Sequence, residues 1–214
     1  MEHIRCGKVY KQGAAVVPPA GQFPLPAAST SPQLALRCNP GQIPFLSDDL
    51  DAPSSVILVD ALVRNQAITG ARPLNPTSQN SELKVTVSLD GVTLTTGNVL
   101  LNGSAALPFS LSNISPRMTP YTLTCTAVTV STPKQTFKSI PTNLTYLPPP
   151  PDYIGSVTKL DLRTGGLLAK RAHFVEPYQP IFPVGFFTDF DGYLEGNDTE
   201  LEVLKSQGCD SLSH

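Results

Sequence analysis

Asp189, Asp191 and Tyr193, in the stretch "FFTDFDGYLEG", come nearest to a chemical constellation. Paired carboxylates can act as acid and base, or as acid and nucleophile, on a glycosidic bond. Such pairs usually reach the bond from different strands, whereas these two share one loop. The plainer reading is a solvated loop ahead of a helix. A calcium loop fails on spacing. With Asp189, Asp191 and Gly192 at positions 3, 5 and 6 of an EF-hand, position 1 is Phe187 and position 12 is Asp198. A second acidic stretch, "SDDLDAP" with Asp48, Asp49 and Asp51, reads as a solvated turn before it reads as a calcium site. His3, His173 and His214 have no metal spacing and no nucleophile motif beside them. The sequence therefore predicts no catalytic residue, no metal site and no cofactor.

Four cysteines, Cys6, Cys38, Cys125 and Cys209, lie far apart with no CxxC among them. Cys38 and Cys125 both fall in strand-like segments. They read either as a disulfide formed in an oxidising compartment or as two buried free thiols. Four sequons begin at Asn102, Asn113, Asn143 and Asn197 and are candidates for N-glycosylation. They point to a secretory origin. The N-terminal stretch "MEHIRCGKVYKQGAAVVPPAG" has a basic section but no apolar run behind it of the kind a signal peptide needs. An incomplete start would reconcile the two.

Composition narrows the partners. The 214 residues carry a net charge of −2 and only 15% charged residues, with no basic cluster longer than "AKRAH". A surface that tracks phosphates needs a basic patch, so nucleic acid is excluded as a partner. No apolar run is long enough for a membrane span. The 22 Pro and 15 Gly favour loops, edges and linkers over helix interiors, as in a β-rich extracellular module.

Strand signals fill the middle of the chain. Residues 1–33 mix Pro with small residues and are expected to be poorly ordered. "LALRC" and "SSVILVDALV" read as strands, the second buried on both faces. In "SELKVTVSLDGVTLTTG", Leu83, Val85 and Val87 alternate with polar residues, and Asp90-Gly91 is a strong hairpin signal. Asn102-Gly103 marks another turn. In "YTLTCTAVTVS", Tyr121, Leu123, Cys125 and Ala127 share a face. The phase then reverses at Val128, which suggests a bulge near Ala127 or a strand leaving the core.

Short strands at this spacing, with no helical period between them, predict an immunoglobulin- or fibronectin-like antiparallel β-sandwich over residues 34–147. There is no Trp, and no Tyr stands two residues before Cys125. The expectation therefore concerns architecture only.

"LPPPPD" begins an extended polyproline linker, residues 148–155. Residues 156–214 then read as a hairpin turning at Thr164-Gly165-Gly166, a strand in "IFPVGFF", and a helix. The helix is capped by Asn197 with Glu200 three residues on, carries Leu201 and Leu204, and ends at Gly208. The aromatic residues Phe174, Tyr178, Phe182, Phe186, Phe187, Phe190 and Tyr193 read as packing before they read as a sugar-stacking platform.

The hairpin "TGGLL", the strand "FPVGFF" and the helix ending "SQGCDS" together resemble secreted fungal proteins of glycoside-hydrolase type, over roughly residues 120–214. In these, a β-sandwich precedes a (β/α)8 barrel. The resemblance implies that this chain holds the sandwich and the first βα unit of a TIM-like barrel. Catalytic acid and nucleophile come from later strands of such barrels, so no catalytic residue is carried over. Asp189, Asp191 and Tyr193 would line the sugar cleft of an intact barrel.

The expected function is that of a truncated glycoside-hydrolase-like protein, extracellular in setting and without activity of its own. The alternative is a non-catalytic β-sandwich module whose partner is a polysaccharide or glycan. Oligomeric state is not legible in the residues.

Overall fold

The computed structural model describes residues 26–47, 55–75, 82–174 and 176–182, with the helical positions Thr199, Glu202, Val203 and Ser206. Among the described residues, fifteen strands follow one another. They are β1 (Ala28–Pro40), β2 (Gln42–Ile43), β3 (Phe45–Leu46), β4 (Val56–Gln66) and β5 (Arg72–Pro73). Then come β6 (Glu82–Leu89), β7 (Val92–Leu100), β8 (Gly103–Pro108), β9 (Tyr121–Thr129) and β10 (Thr136–Lys138). The last five are β11 (Thr142–Leu144), β12 (Tyr146–Leu147), β13 (Ser156–Asp161), β14 (Gly166–Arg171) and β15 (Gln179–Ile181).

Two antiparallel sheets share one core, which gives the body a sandwich-like, β-rich character. The first has the order β5-β1-β4-β8; in the second, β10-β9-β6-β7, β11 joins β10 along β9. Alternation drives the packing. Ile57, Val59 and Ala61 of β4 point inward against Leu83, Val85 and Val87 of β6 and Leu123 and Ala127 of β9, all fully buried. Cys38 of β1 and Cys125 of β9 are joined by a disulfide across the two sheets, Cα to Cα 6.3 Å. At the β6–β7 turn, Asp90 and Gly91 have φ of 47° and 85°. Positive φ at both central residues is what a two-residue hairpin of matching twist demands, and Gly91 adopts it without strain.

Three expectations change. Strand β1 begins at Ala28, inside the segment expected to be poorly ordered. Its irregular start is held by the Ser29 hydroxyl on the Ser31 carbonyl and by the Gln33 carboxamide on Ser29. Strand β4 is buried on one face only. Asp60 lies on its outer face and accepts the Ser104 hydroxyl, as an antiparallel sheet with one wet face allows. Strand β9 neither bulges nor leaves the core. Its register with β6 is unbroken from Leu123 to Thr129, and Thr129 is buried while Val130 is 57% exposed. The Thr129 hydroxyl accepts the Gln135 N–H at 2.8 Å, so the polar atom is satisfied and the period of two prevails. The shift in register falls on the β6–β7 pairing instead, between Val87 and Ser88.

A smaller sheet, β15-β14-β13-β2, follows the prolines. Strand β2 comes from the crossover between β1 and β4, and it pairs with β13 through Ile43 and Gln42. Beside it, β3 pairs in parallel with β12. Strands on the two sides of the polyproline segment are therefore hydrogen-bonded to one short stretch, residues 42–46. Residues 148–151 run along this junction and line a groove with Pro44, Leu46 and Val157.

Candidate functional site

The crossover, the prolines and the small sheet together build the concave surfaces of this end of the molecule. One is a cleft of about 230 Å³ lined by Gln42, Ser47, Ser55, Ser110, Tyr146 and Lys159. Lys159 projects from β13 and is buried, with its ammonium 4.3 Å from the ring centre of Tyr178; Lys170 lies 4.8 Å from the same ring. A cation over an aromatic face is partly compensated for lost hydration. The cleft offers hydroxyls and a cation. Phe45, Leu46 and Leu111 also line it. The second is an apolar groove of about 390 Å³ along Pro148–Pro151, closed by Leu147, Met118 and Val157.

Two carboxylates outside these surfaces are committed to structure. Asp161, buried at the end of β13, accepts Arg163 Nε at 2.8 Å, Nη2 at 3.1 Å and the Arg163 N–H at 3.0 Å. The guanidinium holds its carboxyl below the ordinary range and is itself pushed up. Asp90, in the β6–β7 turn, accepts the Thr122 N–H at 2.8 Å and Arg117 at 2.8 Å, which likewise lower it. A general acid at neutral pH needs the opposite shift. Arg117 also lies 3.5 Å from the ring centre of Tyr121, whose hydroxyl donates to the Ser115 carbonyl. This cluster pins the turn to the start of β9.

Asp189, Asp191, Tyr193 and Asn197 lie outside the described residues, as do Asp48, Asp49 and Asp51. Asn102, Asn113 and Asn143 are all exposed. Asn102 sits in a turn with φ of 60°, and its Oδ1 accepts the Val63 N–H at 2.9 Å. His173 also has positive φ, 63°, and its Nε2 donates to the Pro151 carbonyl at 3.2 Å, so it braces the prolines. Among the described residues, no group of three or more His, Cys, Asp or Glu is placed to hold a metal, and no helix is long and apolar enough to cross a membrane.

Sequence reasoning passed over the Lys159 cleft. Its lining comes from segments far apart in the chain, and only Lys159 standing in an alternating strand hinted at it. Comparison with protein-family models, with characterised proteins and with solved structures finds no match for this chain.

Proposed function

We propose that the chain is the sandwich end of an extracellular glycoside-hydrolase-like protein, and that the small sheet is the face on which a catalytic barrel sits. The identity comes from the resemblance of residues 120–214. One structural observation supports the arrangement: Ile43, Leu160, Leu167 and Ile181 are directly paired across β2, β13, β14 and β15. Paired residues of adjacent strands point to the same side of a sheet, so these four form one apolar row. Leu167 and Ile181 remain 37% and 38% exposed, and Phe182, next in the chain, is 89% exposed. A row of that kind is what a further folded layer would cover.

The order of the two main sheets favours the immunoglobulin- and fibronectin-like family of sandwiches. With β1, β4, β6, β7, β8 and β9 taken as strands A, B, C, C′, E and F, and β10 with β11 as G, the sheets are A-B-E and G-F-C-C′. Tyr121 plays the part of a tyrosine corner at the start of strand F, four residues before the cysteine instead of two. The disulfide here staples A to F, where antibody domains staple B to F.

In this role the chain positions a catalytic domain and hydrolyses nothing itself. The transcript beyond the codon for His214 tests the reading. A frame that continues into further βα units with separated Glu or Asp residues supports it. A stop codon with no such coding potential beyond it removes it.

A second reading, carbohydrate association by the chain alone, is favoured by the exposed rings of Tyr153 and Phe174. They stand on adjacent turns, joined by the Ala172 N–H on the Gly155 carbonyl. Binding to insoluble polysaccharide that Tyr153→Ala and Phe174→Ala abolish is its expected result; wild-type binding that survives both substitutions counts against it.

A further inference from the structure

We propose that Asn143 carries an N-linked glycan that sheathes the open edge of the second sheet. The inference rests on the extracellular reading above. Three observations meet at this residue. First, Asn143 begins the sequon Asn143-Leu144-Thr145. Secondly, it is the central residue of β11, paired with Thr122 of β9, and its side chain is exposed while Leu144 beside it is fully buried. The carboxamide therefore points away from the core into solvent. Thirdly, the cross-sheet disulfide belongs to the oxidising compartments in which this modification is made.

The place matters as much as the motif. Strands β10 and β11 pair only with β9 among the described residues, so they form the outer edge of that sheet. At the opposite edge, β7 turns toward β8: the Thr95 hydroxyl donates to the Pro108 carbonyl at 2.8 Å, and Gly97 lies against Leu107. The β10–β11 edge touches β1 at one point, where the Thr142 hydroxyl donates to the Cys38 carbonyl at 2.8 Å, but among the described residues no strand pairs with its outer backbone. It is flanked by the exposed Val130 and Ile140, at 57% and 52%. An unpaired edge with apolar neighbours invites pairing with another chain unless something covers it. A hydrated oligosaccharide on Asn143 would cover it by bulk.

The transfer balances with a polyprenyl-pyrophosphate oligosaccharide as co-substrate. The bond from sugar C1 to the pyrophosphate oxygen breaks, and a bond from C1 to Asn143 Nδ2 forms. Nδ2 loses one proton, and the polyprenyl pyrophosphate leaves. Because Leu144 and Thr145 are locked into the folded β11–β12 stretch, with the Thr145 carbonyl accepting the Phe45 N–H at 2.8 Å, the step precedes folding of this edge.

Tryptic glycopeptide mass spectrometry on the chain from the cells that make it tests the site. Peptide 139–159 contains Asn143, whereas Asn102 and Asn113 fall together on peptide 85–117. The expected result is a 139–159 peptide bearing hexose and N-acetylhexosamine, in which amide-releasing glycosidase turns the asparagine into aspartate. A bare peptide overturns the site. Thiol alkylation of the same sample separates the causes. A bare Asn143 with an oxidised Cys38–Cys125 pair sinks this inference alone; a bare Asn143 with a reduced pair sinks the extracellular reading with it. For the sheathing role, light scattering of glycosidase-treated protein is expected to show concentration-dependent association that the untreated protein lacks. Identical association before and after treatment overturns that role.

Discussion

The two-sheet body and the small sheet behind the prolines fill their buried faces in opposite ways. In the body every inward position of β6 is apolar: Leu83, Val85, Val87 and Leu89. In the small sheet the buried positions of β13 are Lys159 and Asp161, at 3% and 4% exposed, while Leu160 and its partner Leu167 face the other, wetter side. Burying charge is costly unless it is paired. Here Tyr178 covers the lysine and Arg163 clamps the aspartate. The body is organised by hydrophobic burial. The small sheet is organised by polar contacts and by hydrogen bonds to residues 42–43, with its apolar row left half open. The first pattern is that of a self-sufficient core; the second is that of a layer which needs another layer.

The comparison breaks if the body does not depend on its cross-sheet staple and core. The disulfide closes a loop with a sequence separation of 87, and the chain-entropy account gives such a loop roughly 4.5 kcal/mol. Cys38→Ala with Cys125→Ala is therefore the largest expected loss, about 3–5 kcal/mol, read as a lower urea midpoint with a steeper slope, because the uncrosslinked denatured chain exposes more surface. Next is Thr129→Val. The substitution keeps the volume and removes the hydroxyl that accepts the Gln135 N–H in a buried place. An orphaned buried donor costs about 1–3 kcal/mol, and because the Gln135 N–H is only part-buried the unfolding free energy is expected to fall by the lower half of that range. No change would mean that the turn after β9 carries no load.

Acid sharpens the comparison with a smaller effect. Asp90 is lowered below its ordinary value of 3.8, chiefly by the Thr122 N–H and then by Arg117. A carboxyl depressed on folding adds stability above its unfolded value and loses it as pH falls through the folded one. The contribution of Asp90 is thus whole well above its ordinary value of 3.8 and shrinks below it. Asp161 is lowered in the same direction by Arg163. In thermal melts taken from about pH 6 to about pH 2, Asp90→Asn should lower the melting temperature at the upper end and converge on the wild type at the lower. A constant difference at every pH would show that the turn geometry, not the charge, does the work.

Much of the body was legible in the sequence because its signals are local. The alternation of Leu83, Val85 and Val87 and the turn at Asp90-Gly91 depend only on neighbours along the chain. Thr129 misled because a hydroxyl on an apolar face looks like a phase change until its partner, Gln135, is seen. The junction could not be read at all. Strands β2 and β3 are two residues each, too short to show a period, yet Gln42–Ile43 recruits β13 and Phe45–Leu46 recruits β12. A partner about a hundred positions away leaves no trace in so short a segment. The Lys159 cleft was hidden for the same reason, since its walls are assembled by that junction.

The smallest expected effect is the one that separates a free layer from a covered one. Leu167 stands mid-row between Leu160 and Ile181 and is 37% exposed, so in this chain it has only part of a core leucine's burial to lose. Leu167→Ser is expected to lower stability by about 1 kcal/mol, as for a partly buried side chain. In a chain extended by the proposed barrel the same residue would be covered, and the loss should rise toward the roughly 2–5 kcal/mol of a core leucine. The contrast between the two backgrounds is the measurement, made by urea unfolding of both chains with and without the substitution. A large loss in the short chain would mean that the row is already covered there. Equal small losses in both would overturn the proposed seating of a barrel on this row.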